Sequence, residues 1–199
     1  ESTTLLFYGN SMVERLLEHG EMEARMQIAL PNKGLKIRSL AWTGDEVGNR
    51  LRLEGYPKHM KNLIQKWPAD FLVLGYGMNE AFSGTEGLAA FKQGYRTHLK
   101  QLAKTHTGCR FILLSPTAAQ KPVEKVNEDL ELYSQAIAEI AQKQKILFID
   151  LFTLTKSSPK LITENGIHLN DAGHRLIAQK IASEILAFLQ VNSPEQSSP

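Results

Sequence analysis

The sequence predicts an α/β fold: a three-layer αβα sandwich around a doubly wound, five-stranded parallel sheet in the flavodoxin-like order 2-1-3-4-5. Three observations predict it. Short apolar runs of strand length lack helical periodicity, several of them are apolar on nearly every residue, and amphipathic segments separate them from end to end. The first run, Thr4 to Tyr8, leads into the helical-looking Val13-Glu14-Arg15-Leu16-Leu17. The second, Leu35 to Leu40, and the third, Asp70 to Leu74, precede a segment in which Leu88, Phe91, Tyr95, Leu99 and Leu102 recur at helical spacing. After the fourth run, Arg110 to Leu114, the same spacing returns in Val126, Leu130, Tyr133, Ile137 and Ile140. The fifth, Ile146 to Ile149, is followed by a last helix carrying Ile177, Ile181, Ile185 and Phe188 behind a cap at Asn170. Strands apolar on both faces need helices on both sides, and parallel neighbours need crossovers.

A chain of 199 residues fits one domain and can bury about 70% of its unfolded surface. We place that domain over residues 1–190 and a linker-like tail over 191–199. The ends suggest a processed or excised piece of a longer precursor, whose export to the periplasm or the exterior the residues leave open. A formal net charge of +2 supplies no field for gripping nucleic acid. No apolar stretch reaches the ~20 residues of a bilayer span, so membrane insertion is not expected. The lone Cys109 forms no internal disulfide and is expected to pack as a small buried hydrophobe. Without His-x-x-x-His or clustered cysteines, neither a metal nor any other cofactor is expected.

In a doubly wound sheet the chemistry lies just beyond the carboxyl ends of the strands. Gly9-Asn10-Ser11 follows the first run and puts Ser11 at a helix N-terminus, as a nucleophile or simply as a cap. Gly44 follows the second, either letting an N–H approach a ligand or serving a turn. Gly77-Met78-Asn79-Glu80 follows the third; Asn79 either donates its side-chain amide or forms an Asx turn. Late in the chain, Glu164-Asn165-Gly166-Ile167-His168 puts a histidine in a polar loop before the last helix. The other histidines, 19, 59, 98, 106 and 174, have no comparable surroundings in the sequence.

Taken in order, these loops resemble the four sequence blocks of the SGNH (GDSL-like) hydrolase superfamily, a likeness that runs from about residue 5 to about residue 190. The resemblance implies a serine esterase in which Ser11 is the nucleophile and His168 the general base. It also implies an oxyanion hole made by the Ser11 N–H, the Gly44 N–H and the Asn79 amide. Two positions depart from the pattern. The usual first-block Asp is Asn10, outside the triad, and the position that normally orients the imidazole is Asn165. An amide there accepts from His168 Nδ1–H through its oxygen but cannot neutralise an imidazolium. Glu164 or a backbone carbonyl are the alternatives for that task.

The family analogy and the lack of a long apolar lid imply a short acyl ester, an acetyl group on a carbohydrate fitting best. Trp42, Tyr76 and Phe82 lie where they either stack on a sugar or pack into the protein. The alternative is a glycan-binding domain that keeps the crevice and is catalytically weakened at Asn165.

Overall fold

The computed structural model describes residues 2–47, residue 62 and residues 68–191. The proposed tail falls outside these from residue 192 onward. Five strands, β1 (Thr4–Gly9), β2 (Lys36–Ser39), β3 (Phe71–Gly75), β4 (Arg110–Leu114) and β5 (Leu147–Ile149), form one sheet in the order β2-β1-β3-β4-β5. Every neighbouring pair is parallel. The predicted second and fifth runs are trimmed at their ends, where the sheet's hydrogen bonding stops.

The pleat divides the core in two. Leu5, Phe7, Phe71, Val73, Ile112, Leu114 and Ile149 point to one face, where they meet α1 (Ser11–Glu18), α2 (Glu21–Ala29) and the long C-terminal α6 (Asp171–Val191). Leu6, Tyr8, Leu72, Leu74 and Leu113 point to the other, beneath α3 (Gly84–Thr105) and α4 (Asn127–Gln144). The predicted stripes Phe91-Tyr95-Leu99-Leu102 and Leu130-Tyr133-Ile137-Ile140 are the buried faces of α3 and α4. Among the described residues no helix is long and apolar enough to cross a membrane.

Of the α-helices bounded among the described residues, α2 and a further short one are absent from the sequence prediction. In α2 only Met22 and Met26 are buried, too short a stripe to register. The helix α5 (Leu151–Lys156) is a single turn and a half, started by Asp150, whose carboxylate accepts from Thr153 N at 2.9 Å. Ser115, just past β4, steadies the same helix end by accepting from Leu151 N and Phe152 N at 2.8 and 2.9 Å. Cys109 is half-buried rather than enclosed, and burial pushes its thiol pKa up.

One close approach sets where the first helix begins. Gly9 pairs with Gly75 across β1 and β3, and Asn10 N donates to Gly75 O at 3.3 Å. A Cβ on Gly9 would strike Gly75 O and come within 2.7 Å of Val13 Cγ2. With glycine in both strands the chain turns abruptly into α1 at the sheet's carboxyl edge.

Candidate active site

Ser11 is the first residue of α1, and the cap is its neighbour: the Asn10 side chain accepts from Met12 N at 3.1 Å. Asn10 O takes the N–H groups of Val13 and Glu14, both at 3.1 Å. Ser11 N–H is thereby left without an acceptor among the described residues, at the positive end of the helix dipole. An Asn caps as well as the Asp more usual at position 10, because either offers one oxygen to the N2 amide.

The loops bearing Gly44 and Asn79 are tied to α1 and to each other. Glu14 Oε2 accepts from Thr43 N and Thr43 Oγ1 at 2.7 and 2.6 Å, and Trp42 N donates to Gly9 O at 2.9 Å. Asn79 Nδ2 donates to Asp45 O at 3.1 Å, which spends one of its two amide protons. Glu80, buried, bridges both loops by accepting from Val47 N and from Gly77 N, each at 2.8 Å. Burial raises the Glu80 pKa, while these backbone bonds pull it back down. Gly44 stands at φ 82° with open space around it, and its N–H has no acceptor among the described residues.

His168 sits in a tight loop closed by the antiparallel bridge Thr163–Leu169 and by Glu164 N donating to His168 O at 2.8 Å. Gln120, after β4, holds this loop to the sheet. Its side-chain oxygen accepts from Ile162 N at 2.8 Å and from Thr163 Oγ1 at 3.1 Å, and its N–H reaches Gly166 O at 2.8 Å. Asn170 caps α6 as expected, accepting from Gly173 N at 3.0 Å.

These elements bring Ser11 and His168 to the lining of one cleft, together with Arg15, Met78, Thr117 and His174. Its enclosed space is about 20 Å³, room for one water. Gly44 and Asn79 are not among its lining residues. No direct hydrogen bond joins Ser11 to His168 among the described residues, and resting sites often tighten only on binding substrate.

The sequence left open what holds the imidazole; the structure puts Asn165 there. Asn165 Oδ1 accepts from Ile167 N at 3.1 Å and from His168 N at 2.9 Å, so the oxygen faces the backbone. The amide nitrogen is thereby turned to His168 Nδ1, at 3.0 Å. This is the reverse of the expected bond: the amide donates to Nδ1 instead of accepting from it. Two backbone donors fix the orientation of the amide, since only its oxygen can accept from them. A neutral imidazole that accepts at Nδ1 carries its proton on Nε2. Glu164 points elsewhere, its exposed carboxylate 3.8 Å from Arg15 Nη1. Burial, then the Arg15 charge, holds the His168 pKa below the usual histidine value, and Glu164 only partly offsets them.

His174 is the residue that sequence reasoning passed over. It is buried, stacks on His19 with ring centroids 4.1 Å apart, and leaves Nδ1 without a hydrogen-bond partner. Burial, with the nearby His19 and Arg15 charges, lowers its pKa to about 4. The available signal was its place in the first turn of α6, where side chains lean back toward the preceding loop. Of the aromatics, Trp42 and Phe82 are 55% and 64% exposed, whereas Tyr76 is 1% exposed and packs edge-on to Tyr95 and His98. Tyr76 is therefore a packing residue.

The sequence profile of the GDSL-like Lipase/Acylhydrolase family matches residues 7–176. The chain belongs to this family. Its sheet order and two-sided helical layers match those of solved esterases of the family. A catalytic mutant of Axe2, an acetylxylan esterase from Geobacillus stearothermophilus, superposes with a TM-score of 0.72 at 16% identity, covering 93% of this chain and 95% of that one. The acetyl xylan esterase AlAXEase gives 0.70 at 22% identity, with 92% and 99% covered. A lipase/acylhydrolase from Enterococcus faecalis gives 0.71 at 17% identity, with 94% and 96% covered. No curated protein matches the chain in sequence. Membership of the GDSL-like family makes this chain an acylhydrolase-type protein, and at these identities the structural likeness speaks for the fold.

Proposed function

We propose that the protein is a serine esterase that cleaves short acyl esters, acetyl esters of a carbohydrate above all, through a Ser11 acyl-enzyme. The observation that carries this reading is the shared cleft: Ser11, freed of capping duty by Asn10, and His168 line one small opening at the carboxyl edge of the sheet. Ser11 Oγ attacks the acyl carbon, and His168 Nε2 takes its proton and then delivers it to the leaving alcohol. Water clears the acyl group by the same route. The Ser11 and Gly44 N–H groups, both without acceptors among the described residues, and the second Asn79 amide proton form the oxyanion hole.

The lack of a long apolar lid segment in the sequence suits a short acyl group such as acetyl. The exposed Trp42 and Phe82 offer apolar faces to a sugar ring. The acetylxylan esterases among the structural neighbours agree with that substrate class. Ser11→Ala is expected to abolish hydrolysis of p-nitrophenyl acetate and acetylated xylo-oligosaccharides with the thermal transition unmoved; retained turnover refutes the assignment. One observation favours a second reading, a weakened enzyme that mainly binds glycan: the Asn165 amide selects the imidazole tautomer that cannot accept the serine proton. A fluorophosphonate probe separates the two, since labelling at Ser11 requires a working base.

A further inference from the structure

We propose that Asn165 is a modification site: it deamidates spontaneously in the folded protein, and the resulting carboxylate turns His168 into a working base. The consequence for activity rests on the Ser11–His168 reading above; the chemistry of the amide does not.

Asn165 is exposed and is followed by glycine, the one residue whose lack of a side chain leaves its backbone nitrogen unhindered as a nucleophile. Asparagine amides are labile groups, and here the surroundings favour the reaction. The Gly166 N–H donates to no acceptor among the described residues, so no hydrogen bond has to be broken before it attacks. The Asn165 side-chain oxygen already receives two backbone donors, Ile167 N at 3.1 Å and His168 N at 2.9 Å. Negative charge collects on that oxygen when Cγ becomes tetrahedral, so the pair acts as a small oxyanion hole for the amide itself. The amide nitrogen, the leaving group, is held 3.0 Å from His168 Nδ1 at the exposed end of the side chain, where water supplies the proton it needs to depart.

The steps balance with water as the only co-reactant. The Gly166 nitrogen gives up its proton and bonds to Asn165 Cγ; the Cγ–Nδ2 bond breaks and the nitrogen departs as ammonia. Water then adds to Cγ of the ring, the Cγ–N bond breaks, and a proton returns to the Gly166 nitrogen. The net change is amide plus water to carboxylate plus ammonium.

The product needs no rearrangement to work. One carboxylate oxygen keeps the two backbone N–H bonds, and the other replaces the amide nitrogen opposite Nδ1, turning a donor into an acceptor. Nδ1 then carries the proton and Nε2 is free to take one from Ser11. Gly166 has a separate structural reason to be glycine, at φ 91° with Gln120 O and Val123 Cγ2 each 2.7 Å from where a Cβ would lie. Position 166 is therefore kept as glycine while tests are made at position 165.

The experiment follows freshly purified full-length chain through incubation at mildly alkaline pH. Peptide mapping in heavy-oxygen water reads the amide, and p-nitrophenyl acetate hydrolysis reads activity in the same samples. The expected result is that label enters at position 165 as aspartate and that activity rises in proportion, by about 10²–10³-fold, toward that of Asn165→Asp. Asn165→Gln, whose longer side chain disfavours the ring, stays flat. An amide that survives in the folded chain while the urea-unfolded chain converts overturns the proposal, as does isoaspartate as the only product. So does conversion to aspartate without a rise in activity when Asn165→Asp itself is faster. If Asn165→Asp is no faster than fresh protein, the tautomer argument fails and the activation falls with it whatever the mapping shows, while loss of turnover in Ser11→Ala still tests the Ser11–His168 reading separately.

Discussion

Asn165→Asp tests the reasoning about the imidazole directly, and its size follows from the hydrogen bonds. In the protein as it stands, the productive tautomer of His168 sets an Nδ1–H against the Asn165 N–H at 3.0 Å, donor against donor. Reaching it forfeits one hydrogen bond, about 1 kcal/mol. In the transition state an imidazolium must form, and a carboxylate accepting from it is worth a further ~1.5–3 kcal/mol as a charge-assisted bond. Exposure of Asn165 keeps that second contribution toward the lower end. The sum, about 2.5–4 kcal/mol, corresponds to a rise in kcat of roughly 10²–10³-fold, below the ~10⁴ associated with an Asp-to-Asn change in a buried triad. The assay is p-nitrophenyl acetate hydrolysis across pH. The acid limb of kcat/KM also moves, because a carboxylate beside Nδ1 raises the His168 pKa that burial and Arg15 now hold down. Unchanged kcat and an unmoved acid limb, in a variant with an intact thermal transition, refute the tautomer argument.

Glu80→Gln leaves one of the N–H groups of Val47 and Gly77 facing an amide donor; a stability loss of about 2 kcal/mol and a roughly tenfold lower kcat are expected, measured by urea melts and steady-state kinetics. A fall in stability with kcat unaltered separates Glu80 from the Gly44 and Asn79 loops. Gly9→Ala drives a methyl into Gly75 O and Val13, for about 3 kcal/mol and a Tm drop of roughly 6–12 °C by calorimetry. Unfolded chain binds a proton at His174 near pH 6.5, whereas the folded chain resists until about 4. Stability is therefore lost as pH falls through that window, by at most about 3 kcal/mol, and His174→Leu should flatten this part of the acid limb in pH-dependent denaturation. An equally steep limb in the variant would mean that His174 is not the group responsible.

The layer architecture was legible in the residues because burial on two faces leaves an uninterrupted apolar mark, as in Phe71–Leu74, and burial on one leaves a stripe, as in α3. The helices α2 and α5 were not, since two buried methionines or six residues leave too little pattern to separate from a loop. Motif order marked Ser11, Gly44, Asn79 and His168 as candidates, and of these the structure brings Ser11 and His168 to the lining of one cleft. What linear order could not decide was direction within a side chain. Asn165 stands three residues before His168 in any reading, yet whether its oxygen or its nitrogen meets the imidazole depends on which backbone N–H groups compete for the oxygen. Those are presented only once Gln120 and the Thr163–Leu169 bridge have folded the loop. Likewise His174 and Tyr76 differ little from their neighbours as letters; one became part of the cleft and the other part of the core because packing of α6 and α3 chose which way each faces.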